Sequence, residues 1–210
     1  MMLECRAWRI GPELPSSAPP PLPYSISATN RWYIWDAQDQ SLRGIVTEQL
    51  GVVAHSLRRW LGLHRCRTTW HFWETPDESL VFTLSLAWGW RHGTVRDALH
   101  RSIGHIRLRR PPSIWLTFPH SQPAPWIIHN TPSGWEIEIG WPQEPLRKLT
   151  VTGRSGGDNP SLGDCVTVRI PSELDDEPFV KMLLMATAVL QLHNNIFRNA
   201  CRTLSGVPSC

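Results

Sequence analysis

Lysine is nearly absent from this sequence: of 21 basic residues only Lys148 and Lys181 are not arginine. A GC-rich coding sequence produces that bias without selection for phosphate, so the formal net charge of +3 says little about an acidic partner. Paired cysteines are missing too. Cys5, Cys66, Cys165, Cys201 and Cys210 are odd in number and scattered, with no CxxC pair, which argues against a disulfide framework or a zinc knuckle and fits a reducing, cytoplasmic compartment. The N-terminus carries Glu4 and Glu13 and no continuous apolar core, so no signal peptide is expected. The apolar stretch at 179–192 has fourteen residues, which at about 1.5 Å each reach roughly 21 Å, short of a hydrocarbon thickness of about 30 Å. No membrane span is expected. There is no GxGxxG or P-loop, and 153–157, Gly-Arg-Ser-Gly-Gly, lacks the lysine and helix pattern that cradle phosphates.

What the chain does have is alternation. Leu80, Phe82, Leu84 and Leu86 interleave with Val81, Thr83 and Ser85. The same period of two recurs at Ile114, Leu116 and Phe118, at Trp135, Ile137, Ile139 and Trp141, and at Val166, Val168 and Ile170. Each reads as a strand with one apolar face, and turn-forming residues fill the intervals at the spacing of an antiparallel sandwich or barrel. There is also an internal echo. Asp36 with Ser41 and Leu42, Glu74 with Ser79 and Leu80, and Asp97 with Ser102 and Ile103 share an acid, a serine five later and an aliphatic six later. Each predicts a hairpin tip whose acid caps the turn by accepting backbone N–H bonds. The stretch from His129 to Gly134 and Trp135 is a looser fourth copy.

Hydrophobic residues at 41% and charged residues at 19% place the chain among globular proteins, and its length suits one domain. Pro12, Pro15, Pro19, Pro20, Pro21 and Pro23 crowd one extended segment. We expect a Pro-rich tail over 1–28, a folded domain over 29–203 and a short tail over 204–210. PxxP spacing there would suit an SH3-like groove, but it also arises in any Pro-rich linker. Leu50, Val53, Leu57 and Leu61 predict a short surface helix over 47–63. At 179–192 the chain is apolar on nearly every side, so a helix there must be surrounded. Asp175, Asp176 and Glu177 precede it and Pro178 starts it, which suits the positive end of a helix dipole. A β-meander ending in such a helix predicts a sheet that closes around it, since closure removes free edges and a helix can fill the lumen.

Three stretches resemble the phospholipid scramblase group of the tubby C-terminal-like superfamily, which includes the LURP-one-related proteins. They are 56–65 with 73–84, the hairpin 95–106 beginning Val95-Arg-Asp-Ala, and 164–175, a strand, proline and acidic turn ahead of the apolar helix. The resemblance spans about residues 30–200 and implies a mostly β fold: a closed, antiparallel 12-stranded barrel around a buried C-terminal helix. It also implies a calcium site at the matching acids Asp164, Glu173 and Asp175. The residues themselves lack an EF-hand's ligand order and turn glycine, which favours helix capping there. The cysteine cluster that carries lipid chains in animal scramblases has no counterpart.

Ten arginines lie within 58–110. They read either as outward positions of half-buried strands or as a face for phosphates. For the second reading Arg91, Arg107, Arg109 and Arg110 are the candidate contacts, with Trp88 and Trp90, beside Arg91 and His92, as an amphipathic tip that sits at headgroups or stacks on bases. Catalysis has one local cluster to test, Cys66 between His64 and His71, and the same trio lacks a fourth ligand for a metal. The expectation is a non-enzymatic barrel without a cofactor, cytoplasmic or peripheral at a membrane, that binds an anionic phospholipid or membrane surface. A nucleic-acid or protein-interaction module using the same Arg and Trp residues is the alternative, and a Cys/His hydrolase a third.

Overall fold

The computed structural model describes residues 1–11, 31–51, 54, 56, 66–77, 79–108, 111–119, 124–131, 134–141, 144–155 and 165–205, with side chains omitted at 141, 144–148, 154–155 and 194–205. Twelve strands run β1 (Ala7–Gly11), β2 (Arg31–Asp36), β3 (Leu42–Leu50), β4 (Thr68–Glu74), β5 (Leu80–Leu86) and β6 (His92–Asp97). They continue as β7 (Ser102–Arg107), β8 (Ser113–Leu116), β9 (Trp126–Thr131), β10 (Gly134–Trp141), β11 (Glu144–Ser155) and β12 (Val166–Arg169), followed by helix α1 (Pro178–Ser205). From β2 to β12 each strand pairs antiparallel with the next, and β1 lies between β12 and β2, so the sheet is a closed barrel.

The period of two translates into an apolar lumen. On β5 Phe82, Leu84 and Leu86 are buried, on β10 Trp135, Ile137 and Ile139, and on β12 Val166 and Val168, while Glu136 and Glu138 between them, and Arg169 after Val168, face solvent. A helix with its side chains is about 10–12 Å across, and a ring of this many strands needs such a filler. Helix α1 supplies it: Val180, Leu183, Leu184, Met185, Ala188, Val189 and Leu190 are all buried. Each buried Val, Leu or Met side chain among them stabilises the fold by about 1.5–3 kcal/mol relative to exposure. Thr187 keeps its buried hydroxyl satisfied by donating to the Leu183 carbonyl at 2.8 Å. The helix approaches the wall closely at β7, where a Cβ on Gly104 would lie 2.2 Å from the Trp115 carbonyl and 3.0 Å from Leu183.

Three expectations need correcting. The first eleven residues are not tail: Trp8 and Ile10 are fully buried, and β1 supplies the closing strand. Two apolar positions are too few to announce a strand, yet without them β2 and β12 would be unpaired edges. The 47–63 helix is also misplaced at its start, because β3 continues to Leu50 and pairs with β4 along its length. Ladder hydrogen bonds outweigh a locally helical leucine spacing there, and most of 52–65 lies outside the described residues. Finally, α1 begins where expected but runs on to Ser205, beyond the apolar stretch.

An up-and-down barrel sorts its connections onto two ends. At one end lie the β2–β3, β4–β5 and β6–β7 turns, the three acid–serine echoes. Asp36 N–H donates to the Ser41 carbonyl at 3.0 Å, Glu74 N–H to the Ser79 carbonyl at 2.9 Å, and Asp97 N–H to the Arg101 carbonyl at 3.1 Å. The side chains cap as anticipated in two copies. Asp36 accepts from Gln38 N–H, and Asp97 from Leu99 and Arg101 N–H. In the third, Glu74 instead accepts from the Met2 backbone N–H. That contact helps seat a short helical turn, Met2–Glu4, with Met2 fully buried and its carbonyl accepting from Trp8 Nε1 at 3.1 Å. Buried Lys181 reaches the Leu3 carbonyl at 2.8 Å. The N-terminus thus stoppers this end.

Candidate anion-binding site

At the stoppered end three arginines meet carboxylates. Arg6 bonds Asp175 at 2.6 Å, Arg43 bonds Asp39 at 2.7 Å, and Arg101 bonds Asp97 at 2.6 Å. The opposite end differs. On its β4–β8 side Arg67, Arg91, His92, His105 and Arg107 are exposed, and no exposed carboxylate stands beside them among the described residues. Its interior is sealed by indoles: Trp32, Trp70 and Trp90 surround His193 of α1 with ring-centroid separations of 5.4, 5.2 and 4.8 Å. Binding at this end therefore belongs to the outer surface.

Arg91, His92, His105, Ile106 and Arg107 line an open depression of about 290 Å³. The β6–β7 hairpin builds it. His92 lies directly across from Arg107 and Thr94 across from His105, so the alternating exposed positions 105 and 107 stand beside the start of β6. The Arg91 carbonyl accepts from Leu108 N–H at 2.9 Å, which ties the loop before β6 to the end of β7. Thr94 Oγ1 and His105 Nδ1 share a hydrogen bond of 3.2 Å. Partial burial, then the neighbouring His92 and Arg96, push the His105 pKa below the usual histidine value.

The expected residues divide. Arg91 and Arg107 come together, whereas Arg109 and Arg110 lie outside the described residues. Trp88 is 53% exposed at the β5–β6 tip, but Trp90 is 4% exposed and donates Nε1–H to the Cys66 carbonyl at 2.7 Å. Positive φ at Gly89 (72°) and Trp90 (49°) turns the chain between them, so the pair does not form one amphipathic tip. Of the expected tip, His92 stands with Arg91 at the depression; His105 was missed because only hairpin register sets it beside them.

Of the matching acids, Asp164 lies outside the described residues. Glu173 sits in the turn Ser172–Leu174 and is bonded by Ser172 at 3.3 Å. Asp175 takes Arg6 Nε at 3.1 Å and Nη2 at 2.6 Å, with Lys181 Nζ 3.5 Å away, and the Arg6 hydrogen bond holds its pKa below the ordinary carboxylate value. Two cations already face that carboxyl. No group of three potential metal ligands is found among the described residues. Cys66 is fully buried, while His71 lies on the outer face of β4 stacked on Trp73 at 5.9 Å; His64 is outside the described residues. Cys66 and His71 do not converge.

Among the described residues no helix is long and apolar enough to cross a membrane. The barrel wall exposes Arg96, His105, Glu136 and Glu138 around an apolar lumen, the reverse of the apolar outer band of a membrane-spanning barrel. No family model, no curated protein and no solved structure matches the chain.

Proposed function

We propose that this chain is a non-enzymatic, scramblase- and tubby-like barrel that binds anionic phospholipid headgroups at a membrane surface through its basic end. One observation carries the reading: Arg91 and Arg107 share a depression, and the exposed Trp88 projects from the β5–β6 tip of the same end. Arginine offers a planar fork of donors to phosphate oxygens, and an indole suits the boundary between headgroups and acyl chains. The 12-stranded barrel around a C-terminal helix is the architecture that the family resemblance implied, which supports the assignment. The domain acts as a peripheral module.

A nucleic-acid partner uses the same charges but is less well served. Single-stranded binders stack successive bases on several aromatics, and among the described residues Trp88 is the single large aromatic exposed. Flotation with vesicles of graded anionic content, with and without calcium, tests the proposal. Co-flotation that grows with anionic lipid supports it. Absence from all vesicles together with retardation of an oligonucleotide would transfer the basic end to nucleic acid. A higher melting midpoint in millimolar calcium would revive a metal role for Glu173 and Asp175, because a ligand bound only by the native state raises it.

A further inference from the structure

We infer that the depression between Arg91, His92, His105 and Arg107 takes a dianionic phosphate group and gains a proton on its imidazoles as it does so, so that affinity rises as pH falls. This deepens the reading of the basic end as anion-binding and rests on it. Directly opposed side chains on an antiparallel pair have Cβ atoms about 4.5–5.5 Å apart, and His92 and Arg107 are such a pair. His105 is two positions from Arg107 on the same face, and Arg91 immediately precedes His92. Two permanent cations and two protonatable rings therefore border one opening.

The surroundings decide the protonation. Facing His105 are His92, Thr94 and Arg96 from β6, Trp115 and Ser113 from β8, and Arg107 on its own strand; His92 faces Arg107 and adjoins Arg91. The charged groups among these are all cations or potential cations. Partial burial, then His92 and Arg96, lower the His105 pKa and so disfavour its charged form. An entering dianion supplies the missing countercharge and so favours the imidazolium. With Nδ1 shared with Thr94, Nε2 remains for the ligand.

The test measures binding of inorganic sulfate and inorganic phosphate to the full chain at pH 7.5 and 5.5 by NMR titration. Sulfate stays dianionic throughout, so its pH dependence reports the protein alone. Each proton taken up strengthens binding by up to about tenfold per pH unit, and we expect sulfate affinity to rise at least about fivefold over this interval. The double variant His92→Gln/His105→Gln should flatten that dependence yet retain weak binding, whereas Arg91→Gln/Arg107→Gln should weaken binding at both pH values. Undetectable sulfate binding, a pH-independent affinity, or a pH dependence that survives the double histidine variant overturns the inference.

Vesicles separate the sources of the phosphate. Stronger binding to phosphatidate, a phosphomonoester, than to phosphatidylglycerol at equal surface charge supports a lipid headgroup. Proton-linked sulfate binding without vesicle binding supports free phosphate and sinks the lipid reading alone. Vesicle binding indifferent both to pH and to His92→Gln/His105→Gln leaves the lipid reading standing and sinks this one.

Discussion

The two ends of the barrel hold their charged side chains in opposite ways. At one end the acids of the turns are tied into the fold: Asp36 and Asp97 accept backbone N–H groups, Glu74 holds Met2, and Asp175 holds Arg6. At the other, Arg91 and Arg107 flank a depression with no ion pair among the described residues. Charge satisfied internally stabilises the fold; charge left facing water remains available to a partner. That difference is the reason for proposing recognition at the second end.

The helix joining the two ends gives the largest test. Met185→Asp places an unpaired charge in the lumen at a cost of several kcal/mol, a large share of a domain's total stability. We expect loss of near-ultraviolet circular dichroism and aggregation of the whole domain. A folded, soluble variant would break the account of both ends, because the lumen would then not be a packed core.

Next comes a direct contrast between ends in urea denaturation. Asp97→Ala removes the acceptor for Leu99 N–H, Arg101 N–H and Arg101 Nε, and should cost about 1–3 kcal/mol, the usual range for stranding such groups. Arg107→Ala should change stability by no more than about 0.5 kcal/mol, as exposed substitutions do. Equal losses would erase the distinction.

Vesicle binding should show the reverse order. An arginine near an anionic surface contributes about 1 kcal/mol, so Arg91→Gln and Arg107→Gln should each lower partitioning roughly fivefold. Arg6→Gln, at the stoppered end, should leave it unchanged. An equal effect of Arg6→Gln would make attraction a matter of net charge.

The smallest effect is a pH dependence at the stopper. Asp175 has a depressed folded pKa, chiefly from its Arg6 hydrogen bond. Its contribution is therefore present above the unfolded carboxylate value of about 3.9 and is lost as pH falls through the folded value. Asp175→Asn should flatten the fall of the melting midpoint on acidification below about pH 4; an unaltered slope would remove the Arg6 contact from the stopper.

Much of this contrast was legible before folding and part was not. The echo at Asp36, Glu74 and Asp97 announced hairpin tips because an acid that caps a turn acts within a few residues of itself. Strand β1 stayed hidden because Trp8 and Ile10 are too short an alternation, and their partners on β12 are far away in sequence. Trp88 and Trp90 looked equivalent because local pattern does not reveal that positive φ values at 89 and 90 turn one indole inward. His105 drew no notice because its nearness to Arg91 and His92 depends on cross-strand register.

By itself the sequence determined the alternating strands, their turns and an all-round apolar helix that had to be enclosed, since each depends on periodicity or on side chains close along the chain. Only the tertiary structure decided that the first residues close and stopper the barrel and that Asp175 faces Arg6. Those outcomes depend on which distant strands become neighbours, and no short-range rule of propensity or spacing carries that information.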